Sequence, residues 1–270
     1  MNILSRIIEA KSAEVSQRKS VFPVSVLESL PLFDRQTRSL KESIMDNNKT
    51  GIIAEFKRRS PSKGPINLLA DVEKVVMDYE YYGASAISVL TDDSFFGGTS
   101  LDLEKTANAV RHIPVLRKEF IIDEYQVIES KAIGADAILL IASVLPKEKI
   151  VAFTSLAHSF GLEVLLEIHE EEEIKSIPDR CDVLGVNNRD LKTFSVDIQR
   201  AVRLFKKLPE HVTKISESGI DTPLTYKQLV EAGYDGALIG ALFMKDADPG
   251  ASFFSFVSEY AKNGTDFPSH

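Results

Sequence analysis

The chain has 270 residues, with 32 basic against 40 acidic side chains and a formal net charge of -8; this length suits one α/β barrel and buries enough surface to need no covalent staple. A single cysteine, Cys181, excludes an intrachain disulfide and fits a reducing compartment. There is no basic stripe, no export signal and no run near the roughly 20 apolar residues of a membrane span, so nucleic acid and membrane are excluded as partners and a cytoplasmic location is expected.

Residues 1–48 precede the first strand-like run. Ile3, Leu4, Ile7, Ile8 and Val15 recur at helical spacing, with Arg6, Glu9, Lys11 and Glu14 between them. This predicts an amphipathic helix packed on the rest of the fold. Short runs rich in Ile, Val and Leu follow at 51–57, 85–90, 113–118, 136–141, 162–167, 182–187, 212–216 and 236–239. They alternate little, as buried parallel strands do. Helix-like segments separate them. Gly83 closes the one through Val75 and Tyr79. Asp123 with Gln126 reads as a capping box, with Gly134 as the stop. Thr222-Pro223 reads as N-cap and first helical residue, and Gly233 ends that helix. No Gly-, Pro- or Ser-rich linker interrupts the series. The expectation is α/β, a (β/α)8 TIM barrel forming a single domain over residues 1–270, with residues 1–48 as an N-terminal helical extension.

Five strand runs meet a charge or an amide near their carboxyl ends. That end of such a barrel opens on one shared pocket, where active sites of this architecture are built. Glu55, Lys57, Lys118, Glu167, Asn187 and Glu217 are therefore expected to be neighbours. Glu55 and Lys57 are two apart and share a strand face; a structural ion pair at the rim is the plain alternative. Lys118 is costly inside a barrel mouth unless it is paired or functional, as a general acid, a Schiff-base amine or a carboxylate clamp. Glu167 suits a general base beside a lysine, and a simple salt bridge between the two is again the alternative. Ser60 and Ser62 flank Pro61, where they can donate to a phosphate or merely make a turn. Gly219 follows the seventh strand, and Gly240 and Ala241 follow the eighth, at the usual phosphate site of the fold. His169 precedes the acidic run Glu170 to Glu173 and has no second histidine at ligand spacing, so the run reads as a helix start and no metal is expected. His112 and His158 read as surface or packing residues. No cofactor motif is found.

Taken in order, these segments resemble the indole-3-glycerol phosphate synthase family. The resemblance rests on Glu55-Phe56-Lys57-Arg58-Arg59-Ser60-Pro61-Ser62-Lys63-Gly64, on Thr91-Asp92 with Phe95-Phe96-Gly97-Gly98, and on Leu116-Arg117-Lys118-Glu119-Phe120. It continues through Leu165-Leu166-Glu167-Ile168-His169, Asn187-Asn188-Arg189-Asp190-Leu191 and Glu217-Ser218-Gly219-Ile220. It covers nearly the whole chain, without the second pathway enzyme that fused relatives carry. Pro65, where the family usually has an aliphatic residue, and Ala241, where a polar one is common, depart from the pattern.

The resemblance implies ring closure, decarboxylation and dehydration of 1-(2-carboxyphenylamino)-1-deoxyribulose 5-phosphate. It implies catalysis and substrate contact by Glu55, Lys57, Lys118, Glu167, Asn187 and Glu217, and phosphate binding by Ser60, Ser218, Gly219, Gly240 and Ala241. Phe96 and Phe120 become apolar walls and Arg189 a further substrate contact. The implied partner is a phosphorylated small molecule, with no cofactor and no obligatory protein partner. Two other readings stand beside it: a Schiff-base aldolase-type phosphosugar barrel built on Lys118, and a non-catalytic phosphometabolite-binding barrel.

Overall fold

The structure is a computed structural model, and it describes residues 3–190 and 193–262. Leu191, the last residue of the sixth-strand motif, lies outside the described residues. Eight parallel strands close a barrel: β1 (Ile52–Phe56), β2 (Ala86–Leu90), β3 (Val115–Lys118), β4 (Ala137–Ile141), β5 (Glu163–Ile168), β6 (Val183–Asn187), β7 (Thr213–Glu217) and β8 (Gly236–Ile239). Each pairs with its sequence neighbours, and β1 closes on β8 with Ile53 beside Leu238. The bounds agree with the predicted runs to within two residues. A short antiparallel hairpin, Arg59–Ser60 with Gly64–Pro65, follows β1.

The helices are α1 (Ile3–Val21), α2 (Val24–Leu27), α3 (Leu40–Met45), α4 (Val72–Tyr81), α5 (Asp93–Phe96), α6 (Ser100–Ala109), α7 (Glu124–Ala132), α8 (Lys147–Ser159), α9 (Ile198–Phe205), α10 (Pro223–Glu231), α11 (Ala241–Met244) and α12 (Pro249–Lys262). A 3-10 helix, Glu171–Ser176, starts at the acidic run as expected, with Glu170 and Glu173 forming its capping box. Thr222 caps α10 by accepting from Thr225 N, with Pro223 at the first position. No helix among the described residues is long and apolar enough to cross a membrane.

The barrel interior explains why charges end the strands. Ile53, Leu116, Leu165 and Ile215 belong to one buried apolar cluster inside the barrel. Each lies two residues before a charge: Glu55, Lys118, Glu167 and Glu217. With a side-chain period of two, those charges point inward one level higher. They come from strands one, three, five and seven, the alternate-strand layering of this fold. The topmost interior layer is thus ionic where the layer beneath is aliphatic. At the opposite end α3 closes the barrel, with Leu40 and Ile44 joining the interior cluster. The strands' outer faces pack on the helices; Tyr79 of α4 meets Phe253 of α12 with ring centroids 5.4 Å apart.

Two local expectations are corrected. Lys11 does not lie among the exposed residues between the apolar positions of α1. It is 1% exposed, on the same face as Ile7 and Val15, at the i, i+4, i+8 positions of one stripe. Its ammonium is neutralised by Asp92 at 2.9 Å and Glu119 at 3.1 Å. The Asp123–Gln126 capping box does not form. Asp123 caps α7 by accepting from Tyr125 N, while Gln126 turns back to accept from Ile122 N and to donate to the Phe120 carbonyl.

Candidate active site

A cavity of about 650 Å³ opens at the carboxyl end of the barrel, within the usual range for a small-molecule site. Every residue expected in catalysis or substrate contact lines it: Glu55, Lys57, Ser60, Phe96, Lys118, Phe120, Glu167, Asn187, Arg189, Glu217, Ser218, Gly219, Gly240 and Ala241. The chain is acidic overall, yet Lys57, Lys63, Lys118 and Arg189 all border this space, a local source of attraction for an anion.

Lys118 is the centre of the charge cluster. Its Nζ donates to Glu217 Oε2 at 2.5 Å and to Glu167 Oε2 at 3.0 Å. Burial alone would lower its pKa, but Glu217, Glu167 and Glu55 outweigh that and hold it well above the ordinary lysine value. Lys118 is therefore an ammonium at neutral pH. Burial would raise Glu167, but Lys118 and His169 reverse the shift and hold this carboxyl down, so it is ionised. Burial pushes Glu217 up, and the neighbouring Glu167 charge adds to that against the pull of Lys118. The two carboxyls are driven apart, which leaves Glu167 as the more acidic member of the pair. The plain alternative of a Lys118–Glu167 salt bridge is met as well, but the pair sits on the cavity wall and shares its proton donor with a third group.

Just beyond the end of β1, Lys57 pairs with Glu55 as expected. Two glycines make room for the carboxylates. A Cβ at Gly185 would overlap Glu217 Oε1, and one at Gly240 would stand 2.7 Å from Glu55 Cβ. Gly240 thus serves Glu55 as well as the loop after β8. Asn187 Oδ1 accepts from Arg189 N at 2.9 Å, and Arg189 donates to the Phe194 carbonyl. Ser218 and Phe194 are the two non-glycine residues with positive φ among those described, at 68° and 60°. Both border the cavity, and backbone strain of this kind clusters at functional sites. Gly219 follows Ser218 with φ 78°.

The aromatic wall is built from behind. Asp92 caps α5 by accepting from Phe95 N and Phe96 N, and Glu119 Oε1 accepts from Phe120 N at 2.8 Å. The Phe96 and Phe120 rings lie 6.1 Å apart. Lys11 holds both carboxylates, so α1 is fastened to the two segments that carry these rings.

Sequence reasoning missed several residues here. Ile3, Leu4 and Ile7 of α1 border the cavity, although the helix was expected only to pack on the barrel. Their apolar spacing gave the face but not its target. Arg117 of β3 is fully buried and turned toward α7, donating to Ser130 Oγ and Glu129. His169, 5% exposed, stands behind Glu167. The available signal was its place two residues after Glu167 in one extended run.

The fold and this cavity define a (β/α)8 barrel with an ammonium–carboxylate cluster at its carboxyl end. Among solved structures, 3-hexulose-6-phosphate synthase from Salmonella typhimurium superposes with a TM-score of 0.61 at 16% identity, over 78% of this chain and 98% of that one. N-acetylmannosamine-6-phosphate 2-epimerase from Clostridium perfringens gives 0.57 at 16% identity, over 74% and 90%. These likenesses are of fold.

The chain belongs to the indole-3-glycerol phosphate synthase family, whose model matches residues 4–255. An indole-3-glycerol phosphate synthase of Bacteroides thetaiotaomicron is 45% identical over 256 residues, 95% of this chain and 98% of that one. One from Thermoanaerobacter pseudethanolicus is 41% identical over 263 residues, 97% of this chain and 99% of that one.

Proposed function

We propose that the chain works as a carboxy-lyase of this family, with Lys118 as the acid that closes the indole ring of 1-(2-carboxyphenylamino)-1-deoxyribulose 5-phosphate. The observation that carries this reading is the Lys118 ammonium held between Glu167 and Glu217 on the wall of the cavity. Attack of the aromatic carbon on the ketone builds negative charge on oxygen. A fixed ammonium stabilises that charge and delivers a proton. The carboxylate then leaves as carbon dioxide, returning its electron pair to the ring system. Loss of the new hydroxyl as water takes a second proton, and a carbon-bound proton goes to a base. The ionised Glu167 is the base. Lys57 binds the substrate carboxylate and, after its departure, is the ammonium that protonates the hydroxyl. Glu217 Oε1, buried and without a hydrogen bond among the described residues, hydrogen-bonds a substrate hydroxyl. Phe96 and Phe120 flank the aromatic ring, and Ser60, Ser218, Gly219, Gly240 and Ala241 hold the phosphate.

The Schiff-base alternative fares poorly on the same geometry. A nucleophilic lysine needs a lowered pKa and a free amine, whereas two carboxylates keep Lys118 protonated. Purified protein given the substrate is expected to form indole-3-glycerol phosphate and to leave no lysine adduct after borohydride treatment. A trapped adduct on Lys118, or substrate binding without product, would overturn the reading.

A further inference from the structure

His169 follows β5 directly, two residues beyond Glu167, and does not border the cavity. It is buried at 5% exposure. Its Nε2 stands 3.3 Å from Glu167 Oε1, and its Nδ1 stands 3.8 Å from Glu173 Oε2. Neither nitrogen has a hydrogen-bond partner among the described residues. Each nitrogen stands within 3.8 Å of a carboxylate oxygen and is used by nothing else among the described residues. Glu167 Oε2 is already taken by Lys118, which leaves Oε1 as the oxygen His169 serves. Glu173 is itself fixed. Its Oε2 accepts from His169 N at 2.6 Å and Glu170 N at 3.2 Å, and its side chain is 18% exposed. A carboxylate–imidazole–carboxylate row therefore runs from the cavity wall outward.

We propose that His169, oriented by Glu173, is a positioning residue that supplies an N–H to the back oxygen of Glu167 and keeps this carboxylate ionised and turned toward Lys118. The inference rests on the reading of Glu167 as the base. The other groups facing Glu167 are Lys118 from β3, Glu217 from β7 and the Asn187 amide from β6; Glu55 of β1 acts on Lys118. Around the 3-10 helix, Glu170 pairs with Arg200, and Glu171 with Lys207. Of these, Lys118, His169 and the Asn187 amide favour the Glu167 charge, and His169 is the one of the three that does not border the cavity. A hydrogen bond or positive charge at a carboxylate lowers its pKa, so removing His169 raises it. Catalysis needs Glu167 ionised. The low-pH limb of the turnover profile must then move to higher pH.

The test is the pH dependence of kcat and KM for His169→Met, His169→Gln, Glu173→Gln and Glu167→Gln, with folding checked by thermal unfolding. In His169→Met the low-pH limb is expected to rise by roughly one unit, which lowers turnover about tenfold on the acid side, with KM unchanged. His169→Gln keeps an N–H and is expected to recover most of the loss. Glu173→Gln is expected to shift the limb in the same direction by less. A wild-type limb in folded His169→Met and Glu173→Gln overturns the proposal, as does a uniform loss at every pH that His169→Gln does not relieve. Should His169→Met fail to fold, an unmoved limb in Glu173→Gln overturns it alone. Glu167→Gln separates the two readings. If it is inactive while the His169 and Glu173 limbs stay put, only the His169 role falls. If it is fully active, the base assignment falls and takes the proposal with it.

Discussion

Gly185→Ala is a one-carbon change that tests how closely the charge cluster must be placed. The residue lies in the middle of β6 and touches no predicted part of the substrate. Its added Cβ would overlap Glu217 Oε1 and stand 3.2 Å from Leu165 Cδ1 and 3.3 Å from Glu217 Cδ. Leu165 belongs to the packed barrel interior, so the carboxylate is the part that gives. Relieving the overlap requires a shift of about 1 Å, and misplacement on that scale costs on the order of 10²-fold in rate. The shift also breaks the 2.5 Å bond to Lys118, loosening the proton donor itself. Overpacking of this kind destabilises by about 1–3 kcal/mol, which the fold should survive. Steady-state turnover and substrate dissociation constant, with the thermal midpoint, make the assay. The expected result is a large fall in turnover with binding nearly kept. A folded Gly185→Ala variant with normal turnover would refute the requirement for a fixed Glu217–Lys118 pair.

Lys57→Met is expected to weaken the intact substrate by about 10- to 100-fold, the loss of one charge-assisted contact, and to spare an analogue lacking the carboxylate; equal losses in calorimetric titrations of both would make Lys57 structural. Gly219→Ala places a Cβ against Val196 at a φ of 78° and should raise KM far more than it lowers turnover; unchanged KM in steady-state kinetics would remove this loop from the phosphate site. Lys11→Met leaves Asp92 buried without its cation and Glu119 with only Arg117 at 3.9 Å, and is expected to cost about 3–5 kcal/mol, visible as a clear drop in thermal midpoint. An unchanged midpoint would show that the α1 anchor contributes nothing.

The barrel was legible because its strands obey one rule. Ile53 before Glu55, Leu116 before Lys118, Leu165 before Glu167 and Ile215 before Glu217 each place an aliphatic residue inside and a charge one level higher. That pattern needs only the period of two, so both the fold and the cluster follow from local sequence. Lys11 escaped because its burial depends on Asp92 and Glu119, partners far along the chain. A lysine on an apolar helix stripe looks like an interruption until those carboxylates are in place. The role of Gly240 was half seen. A glycine after β8 signals backbone close to a phosphate, but the Glu55 side chain that also needs its space comes from β1. Gln126 shows the limit of motif spacing: its amide found better partners at Ile122 and Phe120 than the box would have supplied. His169 was set aside on the absence of a second histidine, which excludes a metal ligand set but not a carboxylate neighbour.

Lys118→Met tests the account most directly. With turnover and substrate dissociation constant both measured, the expected result is a loss of roughly 10²–10⁴ in turnover and near-normal binding, because the phosphate and carboxylate contacts are made by other residues. Turnover close to that of the unmodified chain would contradict Lys118 as the acid of ring closure and shift that role to Lys57.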